Sequence, residues 1–346
     1  MLDKIIHKTS PSLKEYFGQR LGQYILSIDR YQEEVNNVLN KEYDDELLYS
    51  SKFALFRANL INFQLSSGQE KDFHSFCSHI RCLELYKVQQ RVLFLSHFIQ
   101  IDSGEEYYKQ FKEKLLNKES IVLVSYHYSN YKALVHYLLT LSVELIILSG
   151  DKQKRELENE ALDLLYVYNT IGECDSTLKF ITAEDKTSLI QIHQLLNKQG
   201  SRPKVLLIYI DGNIGHSGHQ IKNNLYHFRN VEVSMREGLN MLLTLLRVPV
   251  FCAYVEDTGL ELKICFIGSY IFKDKDITTS LLKALETIVQ PKTFIKWECL
   301  MYLHHWIANK DSLPLIENVE DRRIKVLSQG EVFYLDTHEY VYTKED

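Results

Sequence analysis

The stretch IVLVSYHYSNYKALVHYLLTL, residues 121–141, sets a histidine at the end of an apolar run. A short polar cluster follows His127, and Lys132 comes five positions after it. Near pH 7 a neutral imidazole takes a proton from an attacking hydroxyl or amine, which is general-base chemistry. Two acids hold equivalent places further on: Asp211 follows VLLIYI, and Glu256 follows PVFCAYV. A carboxylate beside an imidazole holds its tautomer and stabilises its charged form, as in a Ser-His-Asp triad. Lys132 cannot do this, because an ammonium carries donors only, and beside the ring it disfavours imidazolium.

Other reactive side chains carry weaker signals. Lys222, His227 and Arg229 lie in GNIGHSGHQIKNNLYHFRN, a basic segment suited to an anionic group or to solvent. His216 and His219 in HSGH lack the neighbouring acids or thiols of a metal site. His74, Cys77, His79 and Cys82 have a zinc-like look, but a continuous helix would scatter them over about 12 Å of its axis. No metal is expected. No G-x-S-x-G elbow is present, which disfavours a serine hydrolase.

Strands must position these residues. The apolar runs Ile121–Tyr126, Glu144–Leu148, Val205–Ile210 and Pro249–Val255 alternate with helical patterns over 130–142, 152–168, 184–199 and 234–247. Such alternation predicts βαβ units and a mostly parallel sheet covered on both faces. Ligands then bind beyond the carboxyl ends of the strands, where His127, Asp211 and Glu256 fall. A further strand is expected over 260–271, antiparallel to its predecessor across Asp257-Thr258-Gly259. Apolar spacings of three and four predict helices over 11–117, and short strands with turns at Gln329-Gly330 and Asp336-Thr337 predict a β appendage over 322–343. The expected pieces are a helical region 1–117, an α/β domain 118–310 and a C-terminal β extension 311–346.

HYSNYK at 127–132 resembles the H-[FY]-G-N-[WY]-E signature of the lysophospholipid acyltransferase superfamily, nearest the bacterial lipid A late acyltransferase branch. His127, Tyr128, Asn130 and Tyr131 match, Ser129 stands where the signature has glycine, and Lys132 replaces the acid. LNKQGSRPKVLLIYIDGN, FRNVEVSMREGLNMLLTLLRVPVFCAYVE and PKTFIKWECLMYLHHW are similar, in order, to later segments of that superfamily. The resemblance covers about 118–306. It implies an acyltransferase-like αβα sandwich and transfer of an acyl group from acyl-CoA or acyl carrier protein, as co-substrate, to a hydroxyl or amine. His127 would be the base and Asn130 would shape the site. Arg229 stands nearest the position of a basic residue that holds an anionic group, without the glycine usually beside it.

The departure at Lys132 leaves three alternatives. Asp211 orients His127 from the same rim, or Lys132 binds an anionic group of the substrate, or the groove persists in a non-catalytic scaffold protein of a biosynthetic assembly. No cofactor is expected.

Composition narrows the partners. The chain has 346 residues, 45% hydrophobic and 25% charged, and a net charge of -6 gives no reason to expect nucleic acid. The six cysteines do not form a tight framework, and Cys252 and Cys265 lie in apolar runs, as reduced thiols do. The N-terminal MLDKIIHKTSPSLKEYF lacks a signal-peptide core, and polar residues interrupt every stretch of about 18 residues. A cytoplasmic protein is expected, with peripheral contact at the inner membrane left open.

Overall fold

A computed structural model describes residues 50–89, 99–101, 106–150, 174–183, 187–198, 200–212, 223–257, 262–271 and 276–344, with single residues at 37, 165, 169 and 185. From residue 50 onward the described helices and strands run, in chain order, α1 (Ser51–Asn62), α2 (Glu70–Gln89), β1 (Ile99–Ile101) and α3 (Glu106–Leu116). There follow β2 (Ser120–Ser125), α4 (Ala133–Leu139), β3 (Glu144–Ser149), β4 (Thr177–Thr182), α5 (Ser188–Asn197) and β5 (Lys204–Tyr209). After these come β6 (Asn223–Phe228), β7 (Val231–Arg236), α6 (Glu237–Leu246), β8 (Val250–Asp257), β9 (Leu262–Tyr270) and α7 (Ile277–Ile288). The chain closes through 3-10 turns, a short α8 (Val319–Arg322), β10 (Arg323–Ser328), β11 (Glu331–Asp336) and β12 (Val341–Lys344). Two compact units emerge: Leu83–Ile210 with Leu242–Lys275, and Asn36–Cys82 with Asp211–Met241 and Asp276–Asp346.

The first unit is mixed α/β. Its seven described strands run in the order β1-β9-β8-β2-β5-β3-β4, with every neighbouring pair parallel except β8–β9. β2 sits at the centre. Ile121, Val122, Leu123 and Val124 are fully buried, each worth about 1.5–3 kcal/mol of transfer free energy against leaving it exposed. Alternation sends Ile121 and Leu123 into a cluster with Leu145, Ile147, Val205, Leu207, Phe111 of α3 and Leu134 of α4. Val122, Val124, Leu206 and Ile208 are buried on the opposite face, which is the double covering that a parallel sheet needs. Lys204 begins β5 almost fully buried; its Nζ donates to the carbonyls of Leu195 and Lys198 at the end of α5 and lies 3.7 Å from Glu144. These contacts tie helix α5 to the amino edge of the sheet.

The second unit joins helices to two antiparallel sheets. Ser50 caps α1 by accepting from the Phe53 N–H at 3.2 Å. Ala54 and Ala58 of that helix pack on Ile324, Val326 and Leu335 of the β10–β11–β12 meander. Gln329 and Gly330 both have positive φ (52° and 81°), as a two-residue hairpin turn requires. Trp297, Trp306 and Phe228 form an aromatic knot with centroids 5.5–5.7 Å apart.

Several expectations need correction. Within 11–117, where helices are predicted, Ile99–Ile101 is an edge strand paired with Leu262–Ile264 of β9; three residues are too few to show a period. β4 was not expected, since TLKFIT alternates polar and apolar residues at a sheet edge. The start of the predicted helix 234–247 is the end of β7, and β8 runs two residues beyond its predicted end. The predicted helix 152–168 lies almost entirely outside the described residues, as do most of residues 1–50, His216, His219 and Lys222. The antiparallel β8–β9 pair and the C-terminal strands stand as predicted. Among the described residues, no helix is long and apolar enough to cross a membrane.

Candidate active site

The central strand delivers His127 to the carboxyl edge of the sheet. β2 and β5 run parallel with Ser125 opposite Tyr209, so these two side chains share a face. The Ile210 N–H donates to the Ser125 carbonyl at 3.2 Å, which keeps the strands paired to their ends. His127 lies two residues past Ser125, and Asp211 lies two residues past Tyr209. His127 is half-buried between two tyrosine rings, with centroids 4.7 Å from Tyr131 and 4.9 Å from Tyr209. The Tyr209 hydroxyl donates to the Tyr131 carbonyl at 3.1 Å and ties the loop after β2 to the end of β5.

The loop itself is tightly held. Tyr126 is fully buried, and its hydroxyl accepts from the Cys252 thiol at 3.3 Å; burial pushes that thiol up to about 12, so it stays protonated. Tyr128 is buried edge-on to Tyr254 at 5.8 Å. Ser129 is fully buried with φ 53°, in the left-handed region that favours glycine. Asn130 is buried, and its carbonyl accepts from the Ala133 N–H at 3.0 Å as the chain turns into α4.

Lys132 caps α4 without a side-chain capping bond. It precedes His136 by four residues and so shares its side of the helix. His136 is buried, and burial first, then the Lys132 charge, lower its pKa to about 3. That imidazole is neutral at any physiological pH.

Asp211 is buried in the second unit, where its Oδ2 accepts from the Trp297 indole N–H at 2.8 Å. Cys299 also bonds to this carboxylate. Burial first, then the Asp211 and Glu298 charges, push the thiol well above its ordinary range. A thiol held protonated is a donor, not a nucleophile.

Arg229 and Glu256 have contacts that the sequence does not display. Arg229 forms the β6–β7 turn with Asn230, both with positive φ (48° and 67°). Its Nε donates to the Phe63 carbonyl and its Nη1 to the Val289 carbonyl, each at 3.0 Å, while its N–H donates to Glu286. Burial lowers the pKa of the guanidinium, with Glu286 opposing. These bonds give Arg229 a structural role. Arg229→Ala is therefore expected to lower the stability of the protein by about 2 kcal/mol or more, because two carbonyls lose charged donors, with no change in KM for an anionic substrate. Chemical denaturation and steady-state kinetics check the two halves. Glu256 stands inside β8 opposite Lys263 rather than beyond the strand, because pairing with β9 extends β8 to Asp257.

Tyr131, Tyr209 and Ser125 were not singled out by sequence reasoning as site residues. The signal for Tyr209 and Ser125 lies in strand register, which a single run of residues does not display. His74, Cys77, His79 and Cys82 lie on the continuous helix α2, as expected. The chain matches no protein-family model and no curated protein.

Proposed function

We propose that the protein transfers an acyl group from acyl-CoA or acyl carrier protein to a hydroxyl or amine acceptor. The observation that carries this reading is His127 itself, half-buried between Tyr131 and Tyr209 beyond the carboxyl end of the central parallel strand. Ligands of open α/β sheets bind at that edge. Support comes from one left-handed position. Ser129 (φ 53°) occupies the place where the resembled superfamily has glycine, so the backbone keeps the conformation that glycine favours.

In this reading His127 takes the proton of the acceptor as it attacks the thioester carbonyl. Asp211 is the carboxylate that this reading assigns to orient the imidazole and stabilise its charged form. Lys132 binds an anionic part of the donor. The test is free-thiol release from acyl-CoA and acyl carrier protein with alcohol and amine acceptors. Lys132→Glu is expected to raise KM for the donor and leave kcat unchanged, the signature of lost uniform binding. A fall in kcat with KM unchanged would contradict that role.

A second reading, a scaffold protein without turnover, is favoured by the ammonium at position 132 in place of an acid. It predicts no thiol release from any acyl donor.

A further inference from the structure

The plane of an imidazole is not fixed by its own torsion. The outer torsion of a histidine joins sp³ to sp² carbon and has a broad minimum, so packing must choose the angle. His127 lies two residues past the end of β2, outside the strand ladder, and is half-buried. Lys132 of the same loop has donors only and cannot accept from the ring. Two tyrosine rings do touch the imidazole. Tyr131 lies at 4.7 Å with an interplanar angle of 68°, and Tyr209 at 4.9 Å with 42°. The tyrosines meet each other at 5.2 Å and 72°, so each of the three rings contacts the other two. Tilted and edge-on ring contacts at these distances are directional.

Tyr209 is held at both ends. It is the last residue of β5, opposite Ser125 of β2, and its side chain packs against the buried cluster of the first unit. Its hydroxyl donates to the Tyr131 carbonyl at 3.1 Å. That carbonyl also accepts from the Leu134 N–H of α4, at 3.1 Å. The side chain thus spans from the sheet to the start of a helix, and it cannot swing away from His127 without breaking the hydroxyl bond. The brace between strand and helix uses the hydroxyl. The contact with His127 uses the ring.

We infer that Tyr209 is a positioning residue, whose anchored ring, with that of Tyr131, fixes the plane of the His127 imidazole for proton transfer. The inference rests on the acyl-transfer reading above. In that step the O–H or N–H bond of the acceptor breaks, its proton passes to His127, and the acceptor atom bonds to the thioester carbonyl carbon. The C–S bond then breaks and the imidazolium returns its proton to the departing sulfur. Nothing is oxidised or reduced. A base must be held within about 10–20° of its working geometry, and a misplacement of about 1 Å costs about 10²-fold in rate.

The test compares three variants with wild type and His127→Ala. Tyr209→Phe keeps the ring without the hydroxyl, Tyr209→Leu removes both, and Tyr131→Leu removes the second ring but leaves the carbonyl that Tyr209 bonds. Thiol release is measured below the melting temperature of every variant. The His127 ring signal is followed by NMR of histidine-labelled protein and assigned by its absence from His127→Ala. Tyr209→Leu is expected to lose about 10²-fold in kcat at unchanged donor KM, and its His127 signal to move toward that of an unstructured histidine as ring currents are lost. Tyr209→Phe should recover most of that kcat and keep the shifted signal. Tyr131→Leu should lower kcat, again at unchanged KM.

Full kcat in Tyr209→Leu, with His127→Ala inactive, overturns the positioning role and leaves acyl transfer standing. A loss in Tyr209→Phe as large as in Tyr209→Leu overturns it too, since the hydroxyl and not the ring then matters. Should Tyr209→Leu fail to fold, full kcat in Tyr131→Leu is the contrary result. A His127 signal identical in wild type and Tyr209→Leu rejects the role without any turnover assay. No turnover by wild type with any donor rejects acyl transfer, and the inference with it.

Discussion

His127→Ala is expected to lower thiol release from acyl-CoA or acyl carrier protein by about 10²–10⁴-fold, the usual cost of losing a general base. His127 is half-buried and packs on the rings of Tyr131 and Tyr209, which also face each other at 5.2 Å. Thermal melting of the variant separates a loss of turnover from a loss of fold. A variant that melts normally and turns over normally would remove His127 from the mechanism.

Asp211→Asn carries the second large effect, a fall in kcat of about 10²-fold or more at unchanged KM. The asparagine Oδ1 can still accept from the Trp297 indole N–H, which bonds Asp211 at 2.8 Å, so the substitution removes charge while keeping shape. An amide can neither hold the imidazole in the required tautomer nor stabilise imidazolium. Asp211→Ala should add a loss of stability. Trp297 is fully buried, and its N–H would be left without an acceptor, at a cost of about 1–3 kcal/mol. The pair of variants separates the two roles. A positioning carboxylate loses rate in both, and stability mainly in the alanine variant. If Asp211 only supports Trp297, Asp211→Asn keeps wild-type kcat.

The parts of the fold legible in the sequence are those where burial leaves an uninterrupted apolar run. Ile121–Val124, Val205–Ile208 and Val250–Ala253 are buried on both faces, and their polar ends point to His127 and Asp211. The turn at Gln329-Gly330 was legible because glycine announces it. The β6–β7 hairpin was not, since Arg229 and Asn230 take left-handed conformations without a glycine between the strands. The structural work of Arg229 depends on the Phe63 and Val289 carbonyls, far from it in sequence. Tyr209 became visible at the site only when register set it opposite Ser125. Ser129 read as a departure from the glycine of the signature; the structure gives it φ 53°, the left-handed conformation that glycine favours.

The most direct test of acyl transfer is free-thiol release, measured with acyl-CoA and with acyl carrier protein, by wild type and His127→Ala at equal concentration and with alcohol and amine acceptors. The account predicts acceptor-dependent release by the wild-type protein from at least one donor and background release by the variant. Equal rates for the two proteins with every donor and acceptor would contradict it.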